Sequence, residues 1–243
     1  MAQEKKYYDI TNRFVFAWVF SDPENARPLL EAVMGVKIRE IHYVEAEHGV
    51  EPSLRGRGVR MDVFVDDGDG TVYDVEMQND NEGNLALRSR YLLSAFDRDR
   101  IGRGEPYTDL ARTVVIFICH FDPLGQGRRV YAIRPMVEET GMHFDDGTLR
   151  VFLNAAGAAA EAHEGDGELP EFLSYVDGGG TMGNEWLKRL DRNVRSLNDD
   201  EGWRETVLSF ESMLEEEKAL ARRSGRAEGR KEGLVERSEE HTS

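Results

Sequence analysis

The sequence is poor in cysteine, and this already limits the class of protein. Cysteine occurs once in 243 residues, so no disulfide can form within the chain. Such usage is typical of a reducing compartment, and we expect a cytoplasmic protein. The single residue, Cys119, lies inside the apolar run 114–119, which predicts a buried core thiol with no catalytic role.

Long hydrophobic runs are also missing. The longest apolar stretches are far too short to span a bilayer, and residues 1–8 are charged without the apolar segment of a signal peptide. We therefore expect no membrane span and no signal peptide. Hydrophobic residues still make up 40% of the chain and aromatic residues 9%, which is enough for one sizeable domain with a core.

Positive charge is scarce overall but locally concentrated. The chain has 31 Lys and Arg against 47 Asp and Glu, a net charge of −16, which argues against a protein that coats nucleic acid nonspecifically. Residues 85–135 nevertheless contain nine arginines and five acidic residues. This stretch is compatible with a local DNA-binding face, and ordinary solvated surface charge explains it equally well.

Hydrophobic periodicity predicts alternating helices and strands. The predicted helices are residues 9–20, 21–34 (ended by Gly35), 84–100 and 185 to about 221. The predicted strands are residues 38–47, 59–65, 71–78, 113–121, 129–134 and 148–153. Ser21 and Glu24 have the spacing of a capping box for the second helix. The segment 155–167 is predicted as a loop or weak helix. This order indicates an α/β protein.

The most informative stretch is the hairpin formed by residues 59–65 and 71–78. Asp62 lies on its first strand, and Glu76 and Gln78 lie on the second. Because strand side chains alternate between faces, Glu76 and Gln78 point the same way, while Val75 and Met77 point into the core. Two carboxylates and a further polar group can thus meet above one sheet face, the minimum that holds a cation such as Mg²⁺.

Phosphodiester hydrolysis is the chemistry that this pattern serves best. It needs a cation that polarises the phosphoryl oxygen and lowers the pKa of an attacking water. Gln78 is uncharged and cannot accept a proton, so it would orient water or phosphate. The bare spacing is weak evidence, because an acidic hairpin is more often a solvated strand face.

Several motifs, in order, resemble one nuclease family. They are Thr11–Phe16, Arg60–Val63, Val75–Gln78, Arg90–Tyr91, Gly104–Tyr107 before an apolar strand, and a tail with glycine at every fourth position. The chain is similar to the PD-(D/E)XK nuclease family transposases, also called recombination-promoting nucleases. The resemblance covers most of residues 9–135 and the tail.

The resemblance implies a restriction-endonuclease-like core, with a mixed central sheet flanked by helices and a C-terminal helical tail. The implied activity is that of a metal-dependent DNA endonuclease of the recombination-promoting or transposase-like type. Asp62 and Glu76 would bind Mg²⁺ or Mn²⁺, together with the main-chain carbonyl of Met77. Gln78 stands where the superfamily has a catalytic lysine.

Further roles follow from the same resemblance. A helix carboxylate often joins such sites, and Glu24 and Glu31 are the candidates. DNA phosphates would contact Arg60, Arg88 and Arg90. The opening motif of the family usually has an acid near position 13 and a lysine near position 17, and this chain has neither. An alternative is therefore a nuclease-fold module that has lost cleavage and binds DNA or protein.

The predicted domain organisation has three parts. Residues 1–220 form the nuclease-like domain. Residues 221–236 are a charged tail in which each of Gly225, Gly229 and Gly233 would cost a helix about 1 kcal/mol relative to alanine, so we expect it to be frayed or disordered. The fourfold spacing would also allow close packing in a homo-oligomer. Residues 237–243 look like a translated sequencing adapter and carry no functional inference.

Overall fold

The structure is a computed structural model that describes residues 6–46, 49–50, 59–60, 62–213, 216, 219 and 223. The chain divides into two compact units between Arg195 and Ser196. In the second unit, residues 201–213 are helical. The tail predicted at 221–236, apart from Arg223, and residues 237–243 lie outside the described residues. The predictions of fraying and of assembly through the tail therefore stay predictions.

Helices and strands alternate as the periodicity indicates. The helices are α1 (Arg13–Phe20), α2 (Pro23–Met34), α3 (Leu85–Arg100), α4 (Ala158–Glu161), α5 (Glu168–Val176) and α6 (Glu185–Asp199), with a 3-10 turn at Tyr107–Asp109. The strands are β1 (Tyr43–Ala46), β2 (Gly49–Val50), β3 (Val59–Arg60), β4 (Val63–Asp66), β5 (Thr71–Gln78), β6 (Arg112–Cys119), β7 (Val130–Ile133), β8 (Met136–Val137), β9 (Met142–His143) and β10 (Thr148–Asn154).

Six of these strands form one mixed sheet in the order β1-β4-β5-β6-β10-β7. The pairs β5–β6 and β6–β10 are parallel, and the other neighbours are antiparallel. Helix α3 connects β5 to β6, as a crossover between parallel strands requires. The predicted mixed central sheet flanked by helices is confirmed.

Local sequence signals explain where the first helices begin and end. The Asn12 side chain accepts hydrogen bonds from the backbone N–H groups of Phe14 and Val15, so α1 begins at Arg13. Asp22 caps α2 in the same way by accepting from the Glu24 N–H. The capping box predicted from Ser21 is therefore wrong, because Ser21 ends α1 and its hydroxyl donates to the Trp18 carbonyl.

Aromatic packing fixes α3 on the sheet. Phe96 of α3 stacks on Phe64 of β4 with ring centroids 5.5 Å apart, and Phe117 of β6 stacks on Phe152 of β10 at 5.4 Å. These rings belong to one buried cluster beneath the helix. Burial of such side chains is the main source of stability in a sheet–helix sandwich. The first turn of α3 is thereby held near the end of β5.

Three parts of the fold differ from the sequence prediction. The strand predicted at 59–65 is two strands, because β3 pairs with β2 whereas β4 pairs with β5. Helix α5 and the β8–β9 hairpin were not predicted.

Cys119 is fully buried, as expected. No helix in the described part of the chain is long and apolar enough to cross a membrane.

The buried face of α3 makes a stability prediction. Replacing Phe96, which is 2% exposed, by alanine should lower the free energy of unfolding by about 3–5 kcal/mol, since it leaves a cavity under the helix. Leu87→Ala on the same helix is the control, because Leu87 is 61% exposed and its truncation should change stability by less than about 0.5 kcal/mol. Urea denaturation measures both. Equal effects would contradict the packing described.

Candidate active site

The acidic pair lies at one end of the central sheet. Asp62 immediately precedes β4, and the register that pairs Val63 with Val75 places Asp62 opposite Glu76. Both side chains are buried: Asp62 is 5% exposed and Glu76 is fully buried. The two carboxylates that the hairpin pattern singles out are therefore brought together, and neither lies on a solvated strand face.

Reciprocal hydrogen bonds hold the pair together. The backbone N–H of Asp62 donates to Oε1 of Glu76 at 3.2 Å, and the backbone N–H of Met77 donates to Oδ2 of Asp62 at 3.0 Å. Each carboxylate thus accepts a main-chain hydrogen bond from the strand that carries the other. Such donors stabilise the charged form of a carboxylate and fix its orientation.

Arg88, in the first turn of α3, completes one side of the site. Its guanidinium makes an ion pair with Oε2 of Glu76 and donates to the side-chain oxygen of Gln78 at 3.3 Å. The same group lies 5.9 Å from the centroid of the Phe117 ring, which pairs with Glu76 across β5–β6. Gln78 therefore shares a cation with Glu76, as the common strand face predicts.

A second arginine, Arg13, approaches the Asp62 carboxylate. Its Nη2 lies 3.6 Å from Oδ1 of Asp62, with the Arg13 side chain 40% exposed. The side chain of Asn79, directly after β5, donates to the Thr11 carbonyl at 2.9 Å and links the strand end to the start of α1. Arg13 was not among the predicted site residues. The feature of the sequence that could have indicated it is its position in the opening motif.

A third carboxyl group, Asp74, lies beneath the pair. It is fully buried on the same strand face as Glu76, and neither of its oxygens has a hydrogen-bond partner. Burial, and then the charges of Glu76 and Asp62, raise its pKa well above the usual range, which favours the neutral acid. Asp74 was not among the predicted site residues, although alternation along β5 places it on the same face as Glu76 and Gln78.

Burial also dominates the electrostatics of Glu76. Removal from water and the adjacent Asp62 carboxylate raise its pKa to about 7, while the Arg88 guanidinium and the Asp62 N–H oppose the shift. A carboxyl group whose pKa lies near neutral pH can gain or lose a proton when the charges around it change. Perturbation of this kind is typical of functional sites, although structural ion pairs produce it as well.

The donor set fits a hard divalent cation. Carboxylate oxygens are the ligands that Mg²⁺ prefers, and Mg²⁺ usually binds through one or two carboxylates while keeping several waters. Asp62 and Glu76 supply two such groups, and Met77 turns its backbone N–H toward Asp62. No cluster of three or more His, Cys, Asp or Glu side chains suited to a metal occurs among the described residues. Any cation here would therefore rely on the pair.

The predicted helix carboxylates form ion pairs with basic side chains outside the acid pair. Glu24 forms an ion pair with Arg189, and Glu31 with Lys37. Arg90 is exposed and, two residues after Arg88, projects from another side of α3.

The backbone of Arg60 is in β3, and its side chain lies outside the described part. The helix-carboxylate role of Glu24 and Glu31, the phosphate contacts of Arg60 and Arg90, and the Met77 carbonyl as a ligand stay predictions.

Comparison with known families identifies one matching family. The family model for PD-(D/E)XK nuclease family transposases matches residues 10–220. The chain belongs to this family. No curated protein and no solved structure gives a significant match. Membership of the PD-(D/E)XK family supports a nuclease or transposase-like function in general, and the mixed sheet with its flanking helices is consistent with the nuclease fold of the family.

The raised pKa of Glu76 predicts a pH dependence of stability. The folded protein retains a proton on Glu76 up to about pH 7, whereas the unfolded chain loses it near pH 4.3. Because the native state binds more protons in this window, the free energy of unfolding contributed by Glu76 falls as pH rises from about 4.3 to 7, by roughly 1 kcal/mol per pH unit.

Glu76→Gln should remove the part of this dependence that Glu76 contributes and leave a shallower curve, since glutamine keeps the size and the acceptor oxygen but does not titrate, whereas Asp74, whose pKa is also raised, still does. Urea denaturation of wild type and variant between pH 4.5 and pH 8 measures the difference. Glu138→Gln, which removes an exposed carboxyl group, should follow the wild-type curve. Parallel curves for wild type and Glu76→Gln would contradict the assignment.

Proposed function

We propose that this protein is a metal-dependent DNA endonuclease of the recombination-promoting or transposase-like type. The single observation that supports this most strongly is the pair of buried carboxylates, Asp62 and Glu76, locked together at the end of the central sheet in a member of a nuclease family. A buried pair of like charges is costly unless cations compensate it. The position of the Asp62–Glu76 pair at the end of the sheet, next to arginines, suits the binding of a divalent ion and a phosphate.

Asp62 and Glu76 would hold Mg²⁺ or Mn²⁺, with the Met77 carbonyl as a further ligand. The bound ion supplies Lewis-acid chemistry: it polarises the phosphodiester and lowers the pKa of a water. The residues of the chain position the reactants. The hydrogen bonds from the Asp62 and Met77 N–H groups orient the carboxylates, and Gln78 orients water or phosphate through its amide.

Arginine side chains would contact the DNA backbone. Arg88 and Arg13 flank the acid pair, and their side chains are 37% and 40% exposed, so both can reach solvent. Guanidinium groups bind phosphate oxygens with two parallel hydrogen bonds. The phosphate contacts predicted for Arg60 and Arg90 belong to the same proposal and would extend this surface along the DNA.

Two observations favour a second function, that of a nuclease-fold module that binds DNA or protein without cleaving it. Gln78 replaces a lysine that could carry charge, and every oxygen of the acid pair already has a partner within the chain. A site whose carboxylates are satisfied by protein groups can be stable without a metal. Fold membership does not by itself establish activity.

Mutation of Asp62 tests the endonuclease proposal. Asp62→Asn should reduce Mg²⁺-dependent nicking or cutting of supercoiled plasmid by at least about 100-fold, because the loss of one carboxylate ligand costs several kcal/mol of transition-state stabilisation. Gel electrophoresis of the plasmid measures the rate. Asp69→Asn, in the exposed turn of the same hairpin, is the control and should cut like wild type. Equal cutting by Asp62→Asn would contradict the assignment.

Metal binding separates the two functions. If the protein is an endonuclease, calorimetric titration with Mn²⁺ should detect binding that Asp62→Asn and Glu76→Gln each weaken by roughly 10-fold or more. The binding-module function predicts DNA or protein binding with no divalent-ion binding that depends on these two side chains. Absence of such metal binding would therefore favour the module over the enzyme.

A further inference from the structure

Arg88 occupies the place at Glu76 that a metal ion would need. Its guanidinium is paired with Oε2 of Glu76, the oxygen that accepts no main-chain hydrogen bond from Asp62. Oε1 of Glu76 and Oδ2 of Asp62 accept hydrogen bonds from backbone N–H groups, whose positions follow from strand register. Oδ1 of Asp62 lies 3.6 Å from Nη2 of Arg13. Arg88 is thus a direct counter-ion of Glu76.

The same guanidinium supplies the charge that Gln78 lacks. Gln78 follows Glu76 on the strand face but carries no charge, and its side-chain oxygen accepts a hydrogen bond from Nη1 of Arg88 at 3.3 Å. The positive group beside the scissile phosphate would therefore come from α3. Packing of α3 on the sheet through Phe96 and Phe64 keeps the helix, and hence the base of the Arg88 side chain, in place.

Arg88 is the more mobile partner of the ion pair with Glu76. Its side chain is 37% exposed, whereas Glu76 is fully buried, so the arginine is the partner that can move toward solvent. A divalent cation at Glu76 would repel a guanidinium a few ångströms away, since like charges at this distance interact strongly in a poorly solvated site. A phosphate arriving with the cation would offer the guanidinium new acceptors.

We propose that Arg88 is an exchangeable counter-ion: it neutralises Glu76 until a divalent cation binds, and it then moves to the scissile phosphate, where it provides the positive charge absent from position 78. This inference rests on the proposed endonuclease function and assigns to Arg88 a role in both metal binding and cleavage. It predicts that removing Arg88 changes the two properties in opposite directions.

The test compares Arg88→Gln with wild type. Calorimetric titration with Mn²⁺ alone should show roughly 10-fold tighter binding to Arg88→Gln, because its competitor for Glu76 is gone. Plasmid cutting at saturating Mn²⁺ should instead fall by about 100-fold, the effect of losing one group that stabilises transition-state charge. Arg192→Gln removes the same charge from an exposed site of α6 that has no part in the proposed site, and it should change both quantities by less than about twofold.

Arg88→Lys keeps the charge but cannot span both acceptors with a planar fork, so Mn²⁺ affinity should return toward wild type while cutting recovers only in part. Mn²⁺ affinity of Arg88→Gln that equals or falls below that of Arg192→Gln would overturn the counter-ion role. Faster cutting by Arg88→Gln would overturn the phosphate role and leave Arg88 as a competitor only.

A measurement on the wild-type protein does not depend on how the variants fold. In a titration with Mg²⁺, the side-chain Nε–H signal of Arg88 in a nitrogen-edited NMR spectrum should shift and saturate at the concentration that saturates metal binding. An unchanged signal at saturation would overturn the inference while leaving the proposed function intact. No metal binding by either wild type or Arg88→Gln would overturn the proposed function, and the inference with it.

Discussion

Two hydrogen bonds between neighbouring strands determine the geometry of the candidate site. The Asp62 N–H binds the Glu76 carboxylate, and the Met77 N–H binds the Asp62 carboxylate. Both donors belong to the main chain, so the positions of the acids follow from the β4–β5 register. A slip of one residue would turn the Glu76 side chain to the other sheet face and separate the pair.

Two arginines from neighbouring helices compensate the negative charge that this arrangement buries. Arg88 reaches Glu76 from α3, and Arg13 reaches Asp62 from α1. The α3 crossover between parallel strands and the Asn12 cap of α1 therefore have consequences for the site as well as for the fold. The Asp74 oxygens accept no hydrogen bond, and burial raises the pKa of Asp74, which favours the neutral acid and limits the negative charge beneath the pair.

Much of the sheet and the positions of Glu76 and Gln78 could be predicted from the sequence, because strand periodicity is a local property. Alternation in 71–78 places Glu76 and Gln78 on one face, and the motif order indicates the mixed sheet with its helices. The rest depends on long-range packing. No spacing rule connects Arg13 with Asp62, and the burial of the acid pair depends on how α3 packs against the sheet, which is a long-range contact. The break between β3 and β4 arises because β3 pairs with β2, which composition does not reveal.

We propose that Asp62 and Glu76 form a cation site in which Arg88 neutralises Glu76 until a metal ion binds. The most direct measurement is a crystal structure of the protein grown with Mn²⁺, with an anomalous difference map. We predict a peak between Asp62 and Glu76 within about 2.0–2.3 Å of their oxygens, with the Arg88 guanidinium withdrawn from Glu76. A map with no peak there, and with Arg88 still paired to Glu76 at saturating Mn²⁺, would contradict the account.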